Sequence, residues 1–526
     1  MGKKIFYNDD ARARILAGAE MLYNAVKVTY GPKGGNVIIS GDYGGPTVTH
    51  DGVTVAESID IQDVDDSTLG SKQGAELIKQ AAQNLNKAAG DGTTTVTILT
   101  YQILQEANRL IAAGENPQQL RKELEAAKDQ ALELLAKLSE AITPDGDRVA
   151  QLASISAGDP KIGQLIADII KKIGSDGVVT VETSQGLELE SEIVKGYTFA
   201  RGFVSQYMMT DQARQEAVYT NADILITDKR LSNIMEILPF IEKLGQAGKK
   251  DLVIIADDID GEVLSTLIIN KVKGIFNAVA IKAPAYGDRR VQTLQDIAIL
   301  TGGTVVSDTM GHKFEELELS VLGSAAKVIV GKDETTIIDG KGAQEDIDSR
   351  IAEIRSKHKL EEYDKEFAEQ RAGALAGQVA VIRVGGATET EIEEKKFRVD
   401  DAVAATKAAL AEGIVAGGGV TLVNIAGSMT RKTTGAQLLV KAFKQPFLVL
   451  MENSGINGQA EINRITAAQG MGIDVNHPDD AELIDLKAAG VIDPVRVTRE
   501  AIMNAVSIAA TAATMGALVV DVPESK

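Results

Sequence analysis

The two ends of this chain share one texture, and the middle has another. Before Ile142 the sequence is Ala-rich, with apolar residues at helical spacing. Ile15, Ala19, Leu22 and Val26 predict a helix over 11–29, which Gly31-Pro32 stops. Further helices are predicted over Gln73–Ala89, on through Leu110, and over Pro117–Ser139. From about Val194 strands and helices alternate. Strands are predicted at 224–226, 252–256, 279–281 and 303–306, with helices at 233–244, 262–273 and 291–300 between them. A charged helix or helical hairpin (Gln344–Ala374), a strand (379–384) and a helix (392–410) lead back to Ala-rich helices at the end. A chain of 526 residues is too long for one core. The pattern therefore predicts a nested layout, one domain built from both termini and another inserted within it.

A net charge of −20 argues against a nucleic-acid surface and against docking on anionic membrane. With no cysteine, disulfides, thiolate catalysis and Cys-ligated zinc are excluded, and four histidines leave little for a His-rich metal site. Met1 to Phe6 has no apolar h-region and does not fit the myristoylation pattern. The apolar run Val506–Val520 reads as a buried helix followed by a strand, not a membrane span. The expectation is a soluble, cytoplasmic protein with no nucleic-acid or membrane partner.

One hexapeptide suggests chemistry: Gly90-Asp91-Gly92-Thr93-Thr94-Thr95. The glycines allow a tight turn, and the threonines fall at a helix start, where unpaired N–H groups and a partial positive charge suit phosphate. Asp91 would repel phosphate unless a cation bridges the two, and Mg²⁺ takes this mixed set of carboxylate and phosphate oxygens. The same residues also fit a Thr-capped helix after a glycine turn. The pair Asp400-Asp401 fits a solvated helix face equally well, and the apolar residues of the middle module fit an ordinary core. That module carries neither G-x-G-x-x-G nor a Walker A sequence.

More motifs follow in order: Thr29-Tyr30-Gly31-Pro32-Lys33-Gly34, Asp51-Gly52-Val53, Ala283-Pro284-Ala285-Tyr286-Gly287-Asp288-Arg289-Arg290, Leu300-Thr301-Gly302-Gly303-Thr304, Val399-Asp400-Asp401-Ala402, Gly413 to Gly419, and Val491-Ile492-Asp493-Pro494. As an ordered set they closely resemble the group I chaperonins, the bacterial 60-kDa chaperonin family, over nearly the whole chain. The resemblance implies a multi-domain α+β fold. A mostly helical equatorial ATPase domain would span 1–138 and 412–526. A small intermediate hinge domain would span 139–193 and 379–411, and an α/β apical domain 194–378. It implies ATP and Mg²⁺ as cofactors, and also admits K⁺. It implies homo-oligomeric seven-membered rings, usually two stacked, with strands near 37–48 pairing with a neighbour's termini. Non-native polypeptides and a small co-chaperonin lid would be the partners.

Residue by residue, the resemblance places Thr29, Tyr30, Gly31, Pro32, His50, Gly92, Thr93, Thr94 and Thr95 around the nucleotide. It gives Asp91 the metal, Asp401 the attacking water with Asp51 assisting, Gly418 the base and Asp493 the ribose. Either Asp474 or Asn476 would fill the remaining base-side position. Phe203, Val204, Tyr207, Met208, Leu238, Ile241, Leu264, Ile268, Ile269 and Asn270 would form the polypeptide- and lid-binding rim, and Gly196 and Gly377 the hinge. The expected activity is ATP-driven protein folding, with a binding-only chaperone and a small-molecule kinase as rivals. Some residues depart from the family's pattern. His50 stands where the family usually has Lys, so phosphate compensation is weaker. Gln378 replaces the second glycine of a Gly-Gly hinge. Asp63–Gly70 holds a few extra residues, and the Gly-Gly-Met tail of many relatives is absent after Val522.

Overall fold

The structure, a computed structural model, describes residues 2–40, 47–61, 63, 68–174, 177–184, 186–212, 214–356, 362–476 and 483–522. The chain divides into two compact units. One comprises Met1–Ser175, Val181–Leu189 and Arg383–Lys526; the other comprises Asp176–Thr180 and Glu190–Ile382.

The first unit is mainly helical and is assembled from both chain ends. Helices Asn8–Lys27, Ser71–Ala89, Thr93–Ala112, Pro117–Leu138 and Val495–Ala513 pack around one core, which includes Leu22, Ile78, Leu99, Ile103 and Ile502. With few aromatics, this core relies on close backbone approach. A Cβ added at Gly18 would fall 1.7 Å from the Ser71 carbonyl oxygen, and one at Gly74 2.0 Å from that of Ile15. Small residues here allow the first two helices to touch backbone to backbone, which gains dispersion contacts in place of bulk.

Short strand pairs join distant parts of this unit. Lys3–Tyr7 pairs antiparallel with Ala517–Asp521, and Val37–Ile39 with Thr47–Thr49. Ile414–Ala416 pairs with Ile492–Pro494. The turn 41–46 and residues 64–67 of the 63–70 segment, where extra residues are expected, lie outside the described residues. Helix Glu389–Glu412 packs on Asp147–Ala157 and Val495–Ala513. Among the described residues, no helix is long and apolar enough to cross a membrane.

The second unit is built on a mixed sheet. Strands Ala217–Thr227, Asp251–Ala256, Asn277–Lys282 and Val305–Val306 are parallel, lying in the order third, second, first, fourth. Helices Ile234–Gln246, Gly261–Val272 and Asp288–Thr301 connect them, as the alternating pattern predicts. Antiparallel strands Gly323–Val330, Thr335–Gly340 and Glu190–Phe199 extend the sheet beyond the first strand. The charged Gln344–Ala374 stretch resolves into two helices, Gln344–Ser356 and Glu362–Leu375.

Parallel strands in this order would place a ligand crevice where the order reverses, beyond the ends of the first and fourth strands. Here the chain's own polar groups fill that position. Ser307 Oγ donates to Asp228 Oδ2 at 2.5 Å, the Ser307 N–H donates to His312 Nδ1, and Lys229 pairs with Asp308. The fold therefore directs attention to the other unit for nucleotide chemistry.

Candidate functional site

The hexapeptide is a glycine turn between two helices. Gly90 ends Ser71–Ala89 at φ +71°, and Gly92 precedes Thr93–Ala112 at φ +88°. Both are left-handed, which a side chain at Cβ disfavours. No side chain caps the Thr93 helix and no acid lies in its first turn, so the Thr93, Thr94 and Thr95 amides point outward without a side-chain acceptor. Some helix starts in this unit are capped, with Asn116, Asp159, Thr388 and Thr433 each accepting from amides of their own first turn, and others, such as Asn8–Lys27 and Val495–Ala513, are not. The uncapped start beside the acids offers anion-binding amides.

Three contacts gather the acids around this turn. A Cβ at Gly52 would sit 2.3 Å from Thr94 Oγ1, so the Asp51-Gly52 turn lies directly on the threonines. A Cβ at Gly90 would sit 2.3 Å from the Ala404 Cβ, one helical turn beyond Asp401. A Cβ at Gly92 would sit 2.4 Å from Val497 Cγ1, just after Asp493. Asp493 itself lies in strand Ile492–Pro494, paired with Val415, and its Oδ1 would be 3.0 Å from a Cβ at Gly417.

The result is a set of partly buried carboxylates that repel one another. Burial pushes Asp401 well above the usual carboxylate range, and the charges of Asp91 and then Asp51 push it further. Burial likewise raises Asp91, with Asp51 adding to the rise and the Gly92 N–H and Ser156 hydroxyl opposing it. Asp493 is pushed up to about 7 by burial and by Asp91. Among the described residues, no lysine or arginine offsets these shifts. Nor do three His, Asp or Glu side chains converge into a metal cage of protein ligands alone. Such a donor set suits a cation shared with phosphate oxygens, as Mg²⁺ is commonly held, better than an all-protein site.

Asp51 has a second role that sequence reading did not foresee. It caps helix Gly52–Ser58: Oδ1 accepts from the Val53 N–H (3.2 Å), and Oδ2 from the Thr54 N–H (2.7 Å) and hydroxyl (2.6 Å). Its oxygens are therefore engaged, and its influence on Asp401 is through charge. His50 beside it is exposed.

The Thr29–Pro32 loop borders the same turn. Thr95 Oγ1 donates to the Tyr30 hydroxyl at 3.1 Å, and Thr29 is buried with its hydroxyl on the Val26 carbonyl. Asn453, which sequence reading missed, donates to the Lys27 and Tyr30 carbonyls, both at 2.9 Å. Gly31 packs on Leu450, and Gly418 lies within reach of Leu450 and Leu486. These two leucines join Val475, Phe447 and Tyr30 in an apolar cluster. Pro32 is exposed. In the 474–476 loop, Asp474 Oδ1 accepts the Asn476 N–H at 2.9 Å, closing a turn of its own, and Asn476 is exposed; His477 lies outside the described residues. Two open clefts elsewhere in this unit, of about 520 and about 320 Å³, are lined by Arg431, Lys441 and Lys444 and by Lys122, Gln130 and Lys432, away from the carboxylates.

In the second unit the expected rim is only partly exposed. Tyr207 (74% exposed) and Ile269 (52%) face solvent, while Phe203, Val204, Ile241, Leu264 and Ile268 are half-buried against the core and Leu238 is half-buried. Asn270 is also half-buried, its amide on the Thr266 carbonyl. Met208 is a correction: it is fully buried, and its Sδ accepts the Ala280 N–H. A short apolar run gave no means of telling its inward residue from its outward one. Three exposed neighbours went unnamed: Met235, Val272 (75%) and Ile275. The two hinge candidates touch: the Gly196 N–H donates to the Gly377 carbonyl at 3.2 Å. Gln378 opens strand Gln378–Val384 with its side chain exposed and without a left-handed backbone, so the loss of glycine there introduces no strain in this conformation.

A mixed α/β chain, its helical unit closed from both ends and carrying a phosphate-ready turn ringed by acids, is organised as a chaperonin. The sequence model of the TCP-1/cpn60 chaperonin family matches residues 22–522, and the chain belongs to that family of ATP-binding, protein-folding chaperonins. Its fold is similar to that of the chaperonin gp146 from the bacteriophage EL 2 (Pseudomonas aeruginosa), crystallised in the presence of ATP-BeFx. Against crystal form II the TM-score is 0.69, at 20% identity over 99% of each chain. Against form I it is 0.63, with the same identity and coverage.

Proposed function

We propose that this protein is a group I chaperonin that hydrolyses ATP to capture non-native polypeptides and enclose them for folding. The observation that carries the reading is the uncapped Thr93 helix start set among Asp51, Asp91, Asp401 and Asp493 with no offsetting cation. The Thr93–Thr95 amides and hydroxyls hold phosphates, the Leu450–Leu486 cluster beside Gly418 takes the base, and Asp493 accepts the ribose hydroxyls. Asp91 is the carboxylate that would hold Mg²⁺, whose charge supplies electrostatic stabilisation of the transferred phosphoryl group. Once Asp91 is neutralised, Asp401 loses its strongest electrostatic opponent, ionises, and accepts the proton of the attacking water. Asp51 fixes the turn against the threonines.

We divide the chain into equatorial (1–138, 412–526), intermediate (139–193, 379–411) and apical (194–378) domains. Asp401 then arrives from the intermediate domain, so closure and hydrolysis are coupled. Ring formation is supported by exposed apolar residues on short two-stranded pairs: Ile38 and Val48 on one hairpin, and Ile5, Tyr7 and Val519 on the terminal pair. Tyr207, Met235, Ile269, Val272 and Ile275 give the apical unit exposed apolar surface for unfolded chains and for a co-chaperonin lid.

The test is steady-state ATP hydrolysis by wild type and Asp401→Ala, with nucleotide binding measured in both. Wild type is expected to turn over ATP slowly with Mg²⁺, and the variant to bind ATP but hydrolyse it ~10²–10⁴-fold more slowly. Equal rates would remove Asp401 from the mechanism. An inert wild type would leave a binding-only chaperone.

A further inference from the structure

Asp91 carries the heaviest demand in this site. To hold a cation it has to stay ionised beside Asp51 and Asp401. Two donors hold it. One is the N–H of Gly92, its own neighbour, on Oδ1. The other comes from far along the chain: Ser156 Oγ donates to Asp91 Oδ2 at 3.3 Å. Ser156 is partly buried in the last turn of helix Asp147–Ala157.

The end of that helix is held by the helix that carries Asp401. Arg398, three residues before Asp401, donates from Nη1 to the Ala157 carbonyl at 3.4 Å, and the two helices pack together. Behind it, helix Pro160–Ile173 packs backbone to backbone, with a Cβ at Gly163 meeting Ser154 Oγ at 2.0 Å. Ser156 and Asp401 therefore reach Asp91 as one assembly, one by a hydrogen bond and the other by its charge. A hydrogen bond to a carboxylate favours its ionised form, and a fixed donor selects one orientation of it.

We propose that Ser156 is a positioning residue for Asp91: its hydroxyl orients the carboxylate and sets the site's affinity for magnesium–nucleotide, while proton transfer is left to Asp401. This rests on the reading of Asp91 as the magnesium-facing carboxylate. Ser156 touches neither nucleotide nor water in this scheme, so its loss shows in metal dependence and not in the maximal rate.

The experiment uses the full chain as wild type, Ser156→Ala, Ser156→Thr and Asp91→Ala. Calorimetric titration with Mg·ADP is run alongside ATP turnover across a Mg²⁺ series. Ser156→Ala is expected to raise the Mg·ADP Kd and the half-saturating Mg²⁺ about tenfold, the low end of the scale for one lost hydrogen bond to a charged group. Its kcat at saturating Mg²⁺ should stay within about twofold of wild type. Ser156→Thr, which keeps the hydroxyl, should restore both constants. If Ser156→Ala leaves both Mg²⁺ constants unchanged while Asp91→Ala abolishes binding, the assignment of Ser156 is overturned and the nucleotide site stands. If Ser156→Thr behaves as Ser156→Ala, the effect is packing and the proposal is likewise overturned. If Asp91→Ala binds Mg·ADP as wild type does, both the site reading and the inference built on it fall.

Discussion

Gly90→Ala tests the contact that brings the Asp401 helix to the phosphate turn. Two separate costs are expected. The left-handed backbone at φ +71° costs a non-glycine residue roughly 1–2 kcal/mol. The added Cβ would also lie 2.3 Å from the Ala404 Cβ, which has no rotamer by which to move away. Overpacking of this kind costs about 1–3 kcal/mol, so the total is roughly 2–5 kcal/mol. Ala404→Gly removes the obstructing methyl and costs about 1 kcal/mol as a glycine within a helix. The double variant should therefore retain the backbone penalty and the helix penalty but lose the clash, giving a favourable coupling of about 1–3 kcal/mol. Because the chain has two compact units, a single unfolding midpoint is a poor measure. Hydrogen exchange of peptides from Thr93–Ala112 reads the local opening free energy directly. ATP turnover should follow the same pattern: a fall of about 10- to 100-fold in Gly90→Ala as Asp401 is displaced, and partial recovery in the double variant. Strict additivity of the two substitutions would refute the contact. Unchanged protection in Gly90→Ala would refute the left-handed turn as well.

Asp493 makes stability depend on pH. Its pKa is raised to about 7 in the folded chain against about 3.9 unfolded, so between these values the folded state binds the extra proton. Stability should fall as pH rises from about 4 to 7; Asp493→Asn should match wild type in thermal midpoint only below about pH 4 and exceed it near pH 8, and a constant difference across pH would contradict the shift. In the second unit Asp296 is fully buried and accepts from Arg350 Nε (2.8 Å) and from Arg371 Nε (2.5 Å) and Nη2 (2.8 Å). Asp296→Ala strands two largely buried guanidinium groups and should cost about 3–5 kcal/mol, read as lost exchange protection in helix Glu362–Leu375; undiminished protection would show that the two arginines find other partners.

Residue types and their order carried much of this candidate site, because the features that suit phosphate are local. A glycine turn, three threonines and a helix start lie within six residues, and helical spacing places them without knowledge of the fold. Asp401 and Asp493 were legible only through resemblance, since on periodicity a charged pair belongs on a solvated face. Ser156 and Asn453 were not legible. A serine near a helix end and an asparagine in a helix are common residues in common places, and they gain meaning only when a carboxylate 65 positions away or a loop carbonyl more than 400 positions away comes to meet them. The second unit shows the complementary limit. Strand and helix positions followed from pattern, yet Met208 lay inside while Val272 and Ile275 lay outside. Exposure there depends on which side of a turn faces the sheet, and one short apolar run does not encode that.

The site's peculiarities also argue for function without any comparison. A natural chain rarely gathers acids without a cation at the same place where it sets glycines that no Cβ fits, because each choice costs stability. Here both coincide at one turn, beside a helix start whose amides have no side-chain acceptor. The costs have a common remedy. An anion on the Thr93–Thr95 amides replaces the missing cap, and a cation between that anion and Asp91 relieves Asp401 and Asp493 together. Each ligand alone makes the other's absence worse: phosphate without the cation meets the carboxylates, and the cation without phosphate lacks most of its oxygens. Binding should therefore be strongly cooperative between the two. Nucleotide affinity measured in a chelator should fall by far more than the loss of one salt bridge, and in Asp91→Ala that dependence on Mg²⁺ should largely vanish.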